Sequence, residues 1–393
     1  MSAPIDSLQI GMRRPLARPD GLDRMLVTLA AALPAQGVNV RDPHAPASVP
    51  LPAEPVTVTP AASNVVLQTF ANAQATLSRL LRRPEIPPDP RDPALKPDVV
   101  ALHFAPHAAP VFGQFGKVPR VVHFHGSWVD EHRSERGAAL LAPLRYGLER
   151  MVYRGGTRLI VLSQESGDVL QARYRVPEEH IRVVPGCVDT SRFALPFNRR
   201  HVRKRLGIPH DRPVLLCVRP LLPGLGLEDL IEAMVLVKLA VPDVLLILAG
   251  TGPEQERLYG RIVARGLMDT VRLAGFVSDD KLPLFYRAAD ATVVPTVNMK
   301  DCGLTALESL ATGTPVLVMD AGGAAGAVAP LSDDLVLPSG DYRALGSGIA
   351  DALLGDRMMP SGDQCRRYAR KHFDHSLVAA QVAEVYRDAI ETL

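Results

Sequence analysis

The chain has 393 residues, 47% apolar and 22% charged, and its 44 Lys and Arg nearly balance its 42 Asp and Glu. That length exceeds one hydrophobic core and predicts two domains of about 200 residues each, in a chain of soluble globular composition. A formal charge of +2 argues against nucleic acid as a partner and carries no polyanionic signature. The opening MSAPIDSLQIGMRR lacks the basic-then-apolar pattern of a leader. Apolar runs are broken by charge, Gly or Pro well short of a membrane span. The four cysteines, Cys187, Cys217, Cys302 and Cys365, form no CxxC pair. They read as reduced thiols of a cytoplasmic protein, not as a disulfide framework or zinc site. Peripheral contact with the inner face of a membrane is left open.

In chain order, strands are predicted at 8–12, 98–104, 120–126, 158–163 and 181–186. They continue at 214–219, 244–250, 271–276, 291–296 and 315–320. Those of the second half are nearly continuously apolar, as parallel strands buried on both faces are. Helical patterns lie between them, such as LEDLIEAMVLVKLA and EQERLYGRIVARG. This alternation predicts an α/β fold of two Rossmann-like doubly wound domains facing across a cleft. The expected division is 1–195, 196–375 and a C-terminal helix, 376–393, packing back toward the first domain. The proline-rich segments 41–63 and 83–97 read as surface loops or extended links. Pro196 to Pro213, with RRHVRKRLG inside it, is expected to hold the hinge.

Ligands of such sheets bind beyond the carboxyl ends of the strands. The stretch KDCGLTALESLATGTPV, Lys300 to Val316, has the right chemistry for that position. A glycine turn opens a helix, whose free N–H groups and partial positive charge suit a phosphate. Glu308 lies one and a half turns in, where a carboxylate can accept two hydroxyl hydrogen bonds from a ribose. Alone, such a motif is equally an ordinary loop end followed by a solvated glutamate.

Context adds weight. LAGTGPE (248–254), VRLAGFVSDDKLPLFYRAADATVVPT (271–296), GLTALESLATGTPV (303–316) and AGG (321–323) occur in the order of a known family. So do CVRPLLPGLGLEDLIEA (217–233), PDGLDRMLVTLAAALPAQGVNV (19–40), HFHGSW (123–128) and IRVVPGCVDTSRF (181–193). The chain resembles the family-4 retaining glycosyltransferases of the GT-B fold over nearly its whole length. The resemblance implies a nucleotide-sugar donor of UDP or GDP type, bound as substrate, with no cofactor. It implies Gly303, Leu304 and Thr305 on the diphosphate, Glu308 on the ribose, and Phe276 and Val277 near the base. Gly21 would lie close to the donor, Arg219 would face the diphosphate, and His125 would stand near the transferred sugar. The acceptor would be a hydroxyl of a sugar, a lipid-linked sugar or a small molecule. The pathway would be polysaccharide or glycoconjugate biosynthesis.

The pattern also breaks. The family's first glutamate is matched by Lys300, with Asp301 beside it. The second cation after Arg219 is matched by Leu225, and no Lys or Arg stands between Arg219 and Lys238. The glutamate after the double glycine is matched by Gly326, and the glycine of the PGCVD stretch by Cys187. Lys300 could restore the missing cation, which makes it a candidate site residue with Asp301. The alternative is a relative with impaired chemistry that acts as a binding partner or scaffold. A dehydrogenase is excluded because no GxGxxG follows a strand with an acidic residue about 20 residues on. No metal is expected, since no DxD-like pair stands at a strand end and Asp279–Asp280 read as a helix start. A metal pair at His123 and His125 would need further ligands, for which His103, His107 and His132 are the sequence neighbours.

Overall fold

The computed structural model describes residues 3–12, 21–42, 96–131, 138–296, 303–338 and 340–393. Residues 43–63 and 83–95 of the proline-rich segments, Cys302 and His132 lie outside them. The first six strands are β1 (Ile5–Ile10), β2 (Val38–Arg41), β3 (Val99–His103), β4 (Arg120–Phe124), β5 (Arg158–Val161) and β6 (Ile181–Val183). The next six are β7 (Val214–Val218), β8 (Leu245–Ala249), β9 (Val271–Gly275), β10 (Ala291–Val294), β11 (Val316–Met319) and β12 (Val336–Leu337). They form two six-stranded sheets, β2-β1-β3-β4-β5-β6 and β12-β11-β10-β7-β8-β9, with every pairing parallel. Helices connect successive strands, giving the two-domain α/β architecture of the GT-B fold.

Two strands are additions to the sequence reading. β2 has four residues and β12 two, and both are edge strands, too short to carry a periodic signal. β1 also starts earlier than 8–12. Its Ser7 and Gln9 are fully buried polar residues, which hide a strand from an apolar pattern. Ser7 donates to the Asn39 carbonyl at 2.8 Å and Gln9 Nε2 to Ser7 Oγ at 3.1 Å, so their burial carries partners.

A single apolar cluster joins the two sheets. It takes in Met25, Leu26 and Leu29 of the Gly21–Ala32 helix and Leu304 and Leu307 of the Leu304–Thr312 helix. The Arg199–Leu206 helix follows the first sheet and packs on the Leu282–Ala288 helix of the second. The last helix, His375–Glu391, packs on β3, β4 and β5. It starts where Asp374 bridges Val188, with the Val188 N–H donating to Phe373 O at 2.9 Å and the His375 N–H to Val188 O at 3.1 Å. The two crossings between the sheets thus run side by side and hold each other.

Candidate active site

Gly303 caps the Leu304–Thr312 helix in the left-handed region, φ +74°. A Cβ there would come 3.0 Å from Ala324 Cα, so glycine meets both a conformational and a steric requirement. Leu304 is buried and Thr305 half-buried, and their N–H groups belong to the first turn, which has no intrahelical partner for them. Glu308 is not the solvated residue that an isolated motif allows; it is 6% exposed. Its Oε2 accepts the Tyr286 hydroxyl at 2.7 Å. Its Oε1 accepts Arg24 Nε at 3.0 Å and Nη2 at 2.9 Å.

Arg24 reaches across from the first sheet. It lies one turn past Gly21, on the same face of the helix. Its Nη1 also meets Asp279 Oδ1 at 3.4 Å. Burial works against the Arg24 charge, yet Glu308, with Tyr286 and Asp279, outweighs it and raises the guanidinium's pKa. Burial first, then the Glu308 carboxylate, keeps the Tyr286 hydroxyl protonated and donating. Gly21, Arg24, Asp189, Arg192, Leu304 and Glu308 line one pocket between the two sheets. The sequence reading brought Gly21, Leu304 and Glu308 to this place. It missed Arg24 and Tyr286, whose only signal is a charged residue and a tyrosine on otherwise apolar helix faces.

Arg219 follows β7, and its Nη1 donates to Thr296 Oγ1 just beyond β10. Gly250 packs directly against the Arg219 carbonyl, where a Cβ would stand 1.8 Å from the oxygen. Phe276, 50% exposed, and Val277 directly follow β9. Leu225 is half-buried in the loop before the Leu227–Ala240 helix. A Cβ on Gly326 would lie 3.5 Å from Glu165 Oε1, so a carboxylate of the first sheet's side stands beside the position that lacks its own. Arg219, Phe276, Val277 and His125 do not line the Arg24 pocket. Lys300 and Asp301 lie outside the described residues.

His125 lines a neighbouring apolar cavity with His123, Ile160, Val382, Met25 and Cys187, and the last two also line the Arg24 pocket. Burial pushes the Cys187 thiol up to about 12, so it stays a thiol. His103, His123 and His125 bring ring nitrogens within 4.8 Å of one another. Hydrogen bonds occupy much of this set. His103 Nδ1 pairs with His125 Nε2 at 3.0 Å, His103 Nε2 with Gln9 Oε1 at 2.9 Å, and His123 Nε2 with the Tyr386 hydroxyl at 3.0 Å. Burial holds His123 down at about 3 and lowers His103, with the neighbouring imidazoles adding to the latter. Both rings are therefore neutral near pH 7. His107 instead lies against Gly11.

The loop after His125 is fixed by a residue the sequence reading passed over. Glu149, fully buried, accepts the Trp128 N–H at 2.6 Å, the Tyr174 hydroxyl at 2.7 Å and the Tyr153 hydroxyl at 3.3 Å. Burial raises its pKa against these bonds. With the Ser127 hydroxyl at 3.4 Å as a fourth donor, this buried carboxylate is costly to disturb.

Comparison with known proteins follows the same division. The Glycosyltransferase Family 4 model matches residues 19–192, and the Glycosyl transferases group 1 model matches residues 198–372. The chain belongs to the family-4 glycosyltransferases of the GT-B fold. D-inositol 3-phosphate glycosyltransferase of Thermobispora bispora is 32% identical over 253 residues, 62% of this chain and 58% of that protein. The chain thus matches somewhat under two thirds of that relative's length. Sucrose-phosphate synthase from Thermosynechococcus elongatus superposes with a TM-score of 0.75 at 21% identity, covering 100% of both chains. Anabaena Alr3699/HepE in complex with UDP-glucose superposes with a TM-score of 0.68 at 19% identity, covering 98% of this chain and 100% of that one. At these identities the two structures speak to the fold alone. No described helix is long and apolar enough to cross a membrane.

Proposed function

We propose that this chain transfers a sugar from a nucleoside-diphosphate donor, of UDP or GDP type, to a hydroxyl acceptor with retention of anomeric configuration. The observation that carries the reading is Glu308, a buried carboxylate one and a half turns into the helix that opens at Gly303, facing Gly21 across a pocket between two parallel sheets. The diphosphate would take the N–H groups of Gly303, Leu304 and Thr305, as anions do at helix N-termini. Arg219 would act on the charge that grows as the diphosphate leaves, and such a preset cation is worth about 100- to 1,000-fold in rate. His125, beside the adjoining cavity, would meet the transferred sugar. The HepE structure, which holds UDP-glucose, favours a donor of this class. Acceptors in polysaccharide or glycoconjugate synthesis fit the family.

A thermal-shift titration with UDP, GDP, ADP and their sugar conjugates tests the donor. A ligand at about 100 times its Kd adds roughly 2.7 kcal/mol, a few degrees in a chain of this size. The shift is expected with one base and is expected to vanish in Glu308→Ala. Leu225, in place of a second cation, favours a second reading: a nucleotide-binding relative without turnover. Release of nucleoside diphosphate from the sugar conjugate that shifts the melting point separates the two, and the anomeric signal of the product tests retention.

A further inference from the structure

Glu308 cannot serve a ribose diol in the state described here. An ionised carboxylate offers about four acceptor sites. Arg24 takes two on Oε1 and Tyr286 takes one on Oε2. A diol brings two donors, so at least one of these three bonds must break on binding, and Arg24, which holds two of them, is the partner with somewhere else to go. Arg24, with a side chain only 16% exposed, would then hold Glu308 less tightly, leaving the half-exposed Asp279 at 3.4 Å as its other carboxylate. A largely buried charge in that position gains from a further counterion. The group that displaces it carries one, because the diphosphate is joined to the same ribose. Arg24 also stands in the right place. It shares the pocket with Leu304, in the first turn of the diphosphate-binding helix, and its Nη2 lies 3.6 Å from the Cβ position of Gly21.

We propose that Arg24 is the second diphosphate cation of this enzyme, parked on Glu308 until the donor arrives and then transferred to the leaving group. The inference rests on the donor-site reading above. It also accounts for Leu225: the cation absent from the loop after β7 is supplied from the opposite sheet. A fork-shaped guanidinium suits the task, since it moves from a carboxylate to a phosphate with the same bidentate geometry.

The test is calorimetric titration of the full chain and of Arg24→Met and Arg24→Lys with uridine, guanosine and adenosine and with their diphosphates. A nucleoside has the ribose without the phosphates. Arg24→Met should bind the nucleoside about 5-fold or more tightly than the natural chain, because the competitor for Glu308 is gone. The same variant should lose about 10-fold or more of the diphosphate's advantage over the nucleoside, the scale of a charge-assisted contact. Arg24→Lys, which keeps the charge but not the fork, should fall between the two. Nucleoside and diphosphate affinities that fall together, or a ratio that does not change in either variant, would overturn the proposal and leave Arg24 as a structural tie. Failure of the natural chain to bind any diphosphate would overturn the donor-site reading itself, and this inference with it.

Discussion

At the scale of residues, the site is organised by carboxylates that are buried and each hydrogen-bonded to several partners. Glu308 ties the helix at Gly303 to Arg24, and Glu149 ties the Trp128 backbone to Tyr174 and Tyr153. Removing Glu149 leaves several buried donors without an acceptor, at about 1–3 kcal/mol each. Glu149→Ala is therefore expected to lower stability by about 3 kcal/mol in urea unfolding, and a change under 1 kcal/mol would contradict the role given to it. Gly303, Glu308 and Arg219 were legible as candidates through the family motifs they match, and not through spacing alone. Arg24, Tyr286 and Glu149 were not, because their partners lie 284, 22 and 21 residues away. Nothing in a local pattern separates a helix glutamate in solvent from one under a layer of tyrosines.

At the scale of elements, ten of the twelve strands were foreseeable from apolar runs, with ends shifted by a few residues. The exceptions are β2 and β12, whose pairing is decided by the sheet they join and not by their own few side chains. The polar interior of the first sheet was also out of reach. Ser7, Gln9, His103 and His123 fill the sheet face under the last helix, where Tyr386 contacts both Gln9 and His123. This arrangement has a pH signature. The unfolded chain protonates a histidine near pH 6.5, while folded His123 refuses the proton until about pH 3. Between those values the unfolded state binds more protons, so stability falls as the pH drops from 6.5 toward 3. Each such histidine contributes a slope of about 1.4 kcal/mol per pH unit. His123→Gln should flatten the fall in melting temperature between pH 6.5 and 4.5, and an unchanged slope would contradict the assignment.

At the scale of the molecule, two sheets face each other over ion pairs and share an apolar cluster. The last helix returns from the second sheet to the first. Arg158 grips Asp388 at 2.8 and 2.9 Å, Arg182 adds a third contact at 2.8 Å, and Asp388 is held down at about 2, chiefly by Arg158. The Asp388 side chain is 36% exposed, so solvent weakens the pair. Asp388→Ala is expected to cost about 1 kcal/mol near pH 7. That contribution is present above the unfolded carboxylate's pKa and fades as pH falls toward 2. Urea titrations at pH 7 and pH 2.5 check it, the difference between variant and natural chain shrinking at the lower pH. The two-sheet architecture was legible from strand–helix alternation. The side-by-side crossings at Val188 and Asp374 were not, because they pair segments 186 residues apart.

The measurement that tests the account most directly is a crystal structure of the full chain with the nucleoside diphosphate that stabilises it. The account predicts the diphosphate on the N–H groups of Gly303, Leu304 and Thr305, the ribose hydroxyls on Glu308, and the Arg24 guanidinium moved from Glu308 to the phosphates. A nucleotide bound elsewhere, or bound here with the Arg24–Glu308 pair intact, would contradict it.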